Sequence, residues 1–110
     1  MIALVEQKKR EVAGLCRRFK VERLDLFGSA ANGLFSAATS DLDFVVRFAD
    51  RSPTGEYADR YLDLAEALEH LFQRRVDLVT EQSVRNPYFR RVMELSRKPI
   101  YERPDTQAVV

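Results

Sequence analysis

The sequence predicts one small α/β domain. Three short segments with a hydrophobic period of two alternate with segments of helical period, and glycine-, proline- or serine-containing stretches punctuate them. Its 110 residues suit a single compact unit. With 45% hydrophobic and 32% charged residues the chain can fill a core and solvate its surface, which excludes disordered and fibrous classes.

The first element expected is a helix over 3–20, because Leu4, Val12, Leu15, Cys16 and Phe19 fall near one face of a 3.6-period wheel. Lys8, Lys9, Arg10, Arg17 and Arg18 occupy much of the rest. From residue 22 the period becomes two: Leu24 and Leu26 alternate with Arg23, Asp25 and Phe27, giving a strand that runs into Gly28. Residues 28–40 (GSAANGLFSAATS) are small or polar, as in a glycine-opened helical turn followed by a loop.

A second strand is expected over 41–48, with Leu42, Phe44 and Val46 on one face and Asp41, Asp43 and Val45 on the other. The segment 50–55 breaks the pattern. A helix over about 56–72 follows, carrying Tyr61, Leu64, Ala65, Leu68 and Phe72 at helical spacing. Residues 74–80 form a third strand in which Val76 and Leu78 oppose Arg75, Asp77 and Val79. Asn86-Pro87 then opens a last helix through about residue 97, with asparagine as N-cap and proline at the first helical position. Pro99 stops it, and 104–110 reads as a frayed tail after a single domain over 1–103.

A formal net charge of +1 supplies no large basic field, so nucleic acid is not required as a partner. One cysteine, Cys16, can form neither an internal disulfide nor a zinc cluster and reads as a core residue. No apolar run approaches the roughly eighteen residues of a membrane span, and charge begins at Glu6, before a signal-peptide core. The expectation is a cytoplasmic protein with no membrane contact. His70, near a helix end, reads as a surface residue favoured by the helix dipole.

The chemistry gathers at strand ends. Asp41 and Asp43, at i and i+2, point to one side about 6.6 Å apart along the strand, close enough for both carboxylates to reach metal ions. Mg²⁺ prefers hard oxygen ligands and completes its shell with water and substrate phosphates, so two or three carboxylates suffice. Asp77, in phase on the third strand, supplies another, to share a metal or to take a proton from an acceptor hydroxyl. Upstream, Gly28 lets the backbone approach a phosphate, amides at the helix start attract anions, and Ser29 adds a hydroxyl or serves as an N-cap. A phosphate cradle beside acidic residues outlines a site for a nucleoside triphosphate. Arg90 and Arg91, beside Tyr88 and Phe89, read first as solvated charges.

LFGSAANG, SDLDFVV and VDLV together strongly resemble the signature of the DNA polymerase beta-like nucleotidyltransferase superfamily, in particular the minimal nucleotidyltransferases of prokaryotes. The resemblance spans about 1–101, and NPYFRRVMELSRKPIYER is similar to the close of these domains, a last helix followed by a short extended stretch. It implies a small mixed sheet flanked by helices and metal-dependent transfer of a nucleoside monophosphate, with ATP as donor and as many as two Mg²⁺ ions. It assigns the metals to Asp41, Asp43 and Asp77, and the terminal phosphates to Gly28 and Ser29. It further implies a HEPN-domain toxin as partner, to which an antitoxin of this family adds AMP.

The chain departs from the family at Asn32, where an arginine is frequent, and in having one residue more than usual between Ser29 and Asp41. A lost guanidinium removes a bidentate phosphate grip. Two alternatives therefore stay open: an antitoxin that neutralises a HEPN ribonuclease by complex formation, and a drug-modifying adenylyltransferase. In the second, a partner or homo-oligomer would have to complete the acceptor site.

Overall fold

The computed structural model describes residues 3–32, 41–50, 52 and 54–103. The expected loop at 33–40, the expected tail at 104–110 and the side chain of Asn32 lie outside the described residues. The elements run α1 (Ala3–Gln7), α2 (Lys9–Arg18), β1 (Val21–Phe27), α3 (Ser29–Asn32), β2 (Leu42–Phe48), α4 (Gly55–Phe72), β3 (Val76–Thr80), a 3₁₀ turn (Glu81–Ser83), α5 (Pro87–Ser96) and β4 (Lys98–Glu102).

One four-stranded sheet has the order β3-β2-β1-β4. β1 is antiparallel to β2 and to β4, while β2 and β3 are parallel. The sheet is therefore mixed, as expected. The parallel pair needs a crossover, and the long amphipathic α4 supplies it. Thr54 caps α4 by accepting from the Tyr57 amide, and Gln73 ends it in the left-handed conformation at φ +53°.

Period-two alternation assigns the two faces. Leu24, Leu26, Leu42, Phe44, Val46, Phe48 and Leu78 join Val5, Val12, Cys16, Leu64, Leu68 and Phe72 in the main core under α1, α2 and α4. Phe27, Val45, Val84 and Met93 form a smaller core on the opposite face, where α5 packs. Phe27 meets Phe89 of α5 edge to face, with centroids 5.9 Å apart. Asn86 caps α5 through the Tyr88 and Phe89 amides, with Pro87 at its start, as its sequence position predicts.

Two expectations change. The single helix over 3–20 is two, because the chain tightens at Lys8, whose amide bonds the Val5 carbonyl three residues back. It also ends at Arg18, and Lys20 turns the chain at φ +59° into β1. The extended stretch expected after the last helix is β4, which contains Pro99 and lies at the sheet edge, where proline's missing amide is tolerated.

The face carrying α5 buries a charge. Asp25 is fully buried and is matched by Arg97, at 2.6 Å, and by Arg23, at 3.0 Å. Arg97 also reaches Glu81 at 2.9 Å and Glu94 at 2.7 Å, so it ties the start of β4 to β1, α5 and the 3₁₀ turn. Among the described residues no helix is long and apolar enough to cross a membrane.

Candidate active site

β1 delivers Phe27 and Gly28 to one end of the sheet. β2, antiparallel beside it, begins there with Asp41 just before the strand and Asp43 in its second position. β3, parallel to β2, begins at the same end with Asp77 in its second position. Phe27 pairs with Asp43, and Asp43 with Asp77, so the three residues form one row across the sheet. Laterally paired residues point to one face, and neighbouring strands stand about 4.8 Å apart. The Asp43 and Asp77 carboxylates are therefore neighbours on the face that α5 only partly covers. Asp41, exposed and two residues before Asp43, is in phase with them.

Like charges in register repel. Burial first, then the charges of Asp77 and Asp41, hold Asp43 at about 6, up from 3.8. On α4, burial and then the Asp77 charge push the Tyr61 hydroxyl upward, and that hydroxyl donates to the Leu78 carbonyl next to Asp77.

Gly28 makes this crowding feasible. Its φ is +75°, and a Cβ placed there would lie 2.5 Å from Asp43 Oδ2 and 3.4 Å from its Cγ. Only glycine satisfies both the left-handed backbone and the contact. Ser29 follows as the first residue of α3, and the Ala31 amide bonds the Gly28 carbonyl at 3.1 Å. The sequence reading missed one partner: the Gly28 amide donates to Ser96 Oγ of α5 at 3.0 Å. That amide points to protein, so Gly28 opens the turn by its conformation. No sequence signal links positions 68 residues apart.

The structure thus brings Gly28, Ser29, Asp43 and Asp77 to one sheet end, with Asp41 at its margin. Hard oxygen donors crowded by mutual repulsion suit a hard divalent cation such as Mg²⁺, which would relieve that repulsion. Among the described residues no three acidic, histidine or cysteine side chains already converge on one metal-sized point. Mg²⁺ needs no such cage, because one or two carboxylates plus substrate oxygens fill its shell. The donor set fits the ion.

Other candidates separate from this centre. A cleft of about 420 Å³ beside β3 is lined by Tyr57, Tyr61, Leu62, Leu78, Thr80 and Ser83, and by none of the three carboxylates. Arg90 is engaged by the Val84 and Glu81 carbonyls, as a structural charge would be. Cys16 is buried in the core, and burial pushes its thiol up to about 12. His70 is exposed in the last turn of α4.

The family described as nucleotidyltransferase domain matches residues 9–100. A Methanocaldococcus jannaschii protein named as a candidate protein adenylyltransferase is 38% identical over 77 residues, covering 70% of this chain and 74% of its own. The structure of a candidate minimal nucleotidyltransferase superposes with a TM-score of 0.63 at 31% identity, covering 86% of this chain and 90% of that one. A complex of a tri-AMPylated HEPN toxin with its MNT antitoxin, from Shewanella oneidensis, matches with a TM-score of 0.57 at 20% identity, covering 96% and 78%. That last likeness concerns the fold alone. With a family match across most of its length, and a mixed sheet that carries its aspartates beside a glycine-opened turn, the chain belongs to the nucleotidyltransferases, in their minimal form.

Proposed function

We propose that this nucleotidyltransferase moves AMP from ATP to a hydroxyl of a HEPN-domain toxin and thereby acts as its antitoxin. The observation that carries the reading is the row Phe27–Asp43–Asp77 beside Gly28. Further support comes from the adenylyltransferase relative and from the AMPylated toxin in the related complex.

In the proposed reaction the acceptor oxygen attacks the α-phosphorus, the bond from that phosphorus to the bridging oxygen breaks, and pyrophosphate leaves. Asp41, Asp43 and Asp77 would hold Mg²⁺, as one ion or two, which would neutralise charge developing on the phosphate oxygens. Asp77, on the edge strand β3, would receive the proton of the incoming hydroxyl. Ser29 contributes its hydroxyl and amide to the terminal phosphates, and the Gly28 turn gives them access.

Incubation with labelled ATP, Mg²⁺ and a purified HEPN-domain partner should label the partner, and the Asp41→Asn/Asp43→Asn double variant should not. Labelling that survives the double substitution refutes the mechanism.

One observation favours a second reading. Tyr88, Val92 and Leu95 of α5 are 78%, 47% and 79% exposed, forming an apolar face that suits a protein partner. Neutralisation by complex formation would then suffice, and the double aspartate variant would still protect cells from the toxin.

A further inference from the structure

We infer that Ser96 is the positioning residue of the nucleotide site: its hydroxyl takes the Gly28 amide and so locks the turn against which the Asp43 carboxylate rests. The inference rests on the nucleotide reading of that site and adds a residue from the far end of the chain.

A serine hydroxyl has one proton to donate and two lone pairs to accept with. Ser96 Oγ lies 3.2 Å from the Val92 carbonyl and 3.4 Å from that of Met93, so its proton turns back into α5. A lone pair is left facing outward, and the Gly28 amide donates to it at 3.0 Å. The next residue, Arg97, bonds buried Asp25 at 2.6 Å. The junction of α5 and β4 therefore grips β1 twice, at Asp25 within the strand and at Gly28 just past its end. The ion pair sets the position of the junction, and the hydroxyl sets the turn.

Two consequences follow for the site. Because the Gly28 amide is engaged, the donors left for phosphate at this turn begin at Ser29. Because Gly28 sits at φ +75° against Asp43, a turn free to relax would shift the phosphate site relative to the acidic row. Ser96 touches neither phosphate nor carboxylate and acts only through Gly28.

Ser96→Ala removes the acceptor and keeps the Arg97–Asp25 pair, so the fold should persist. Ser96→Thr keeps the hydroxyl. Amide exchange at Gly28, followed by NMR, and the Kd for ATP in the presence of Mg²⁺ should be measured for the wild type and both variants. Expected are a protected Gly28 amide in the wild type, loss of that protection in Ser96→Ala with ATP binding weakened about 3- to 10-fold, and recovery of both in Ser96→Thr. That range corresponds to the net worth of one hydrogen bond. Unchanged Gly28 exchange in Ser96→Ala overturns the inference, and so does lost protection with an unchanged Kd. A wild type with a protected Gly28 amide but no ATP binding overturns the nucleotide reading, and the positioning role with it. An unprotected Gly28 in a chain that binds ATP overturns the role of Ser96 alone.

Discussion

Replacing Asp43 by asparagine should stabilise the metal-free fold at neutral pH even though it removes a site residue. Asp43 is held at about 6 against an ordinary 3.8, by burial first and then by Asp77 and Asp41. About two pKa units correspond to at most roughly 3 kcal/mol, and solvent screening of a partly exposed group reduces this to about 1–1.5 kcal/mol. The sign follows from proton linkage. Between pH 3.8 and about 6 the folded chain binds more protons at Asp43 than the unfolded chain does, so this group's contribution to stability declines as pH rises. Its cost is absent below that window and complete above it. Urea unfolding without divalent cations should therefore show Asp43→Asn more stable than wild type at pH 7.5, equivalent to about 5 °C in Tm, and no comparable gain at pH 3.5. A variant no more stable than wild type at pH 7.5, or equally stabilised at both pH values, would refute the claim that crowded charge strains this sheet end.

Other substitutions probe separate parts of the account. Gly28→Ala forces a side chain into a φ of +75° and to within 2.5 Å of Asp43 Oδ2, so it should cost more than about 1 kcal/mol in chemical denaturation and abolish adenylyl transfer. Arg97→Met leaves the buried Asp25 charge with Arg23 as its remaining partner and should cost about 3 kcal/mol, the lower end for a broken buried pair, read by the same unfolding curves. Because cations load onto deprotonated carboxylates, the transfer rate at fixed Mg²⁺ should fall as pH drops through about 6, and the Asp77→Asn variant should bring the Asp43 titration, followed by NMR, to lower pH.

The site's acidic row was legible because a strand's period of two is rigid. Because Asp41, Asp43 and Asp77 alternate with Leu42, Phe44, Val76 and Leu78, the core can accept only the face opposite the carboxylates, and the register of β2 with β3 aligns the two strands. The Asn86-Pro87 start of α5 was equally plain, because capping chemistry is local. What the sequence hid depends on long-range packing. Asp25 alternates with Leu24 and Leu26 like any outward polar residue, yet α5 and β4 close over it and supply Arg97 from 72 residues away. Ser96 reads as an ordinary late-helix serine until the fold sets it beside Gly28. The break at Lys8 had no glycine or proline to announce it, and the apolar stripe continues through it from Val5 to Val12 and Cys16.

In the proposed site the carboxylates of Asp41, Asp43 and Asp77 together hold a divalent cation, with a nucleoside triphosphate at the Gly28 turn. Wild type and the Asp43→Asn/Asp77→Asn variant, both shown to be folded by circular dichroism, should be titrated calorimetrically with ATP, with and without Mg²⁺. Expected are Mg²⁺-dependent binding to the wild type and binding at least about tenfold weaker in the variant, the scale of one lost charge-assisted contact. Equal, Mg²⁺-dependent affinity in the two proteins would show that these carboxylates do not hold the cation.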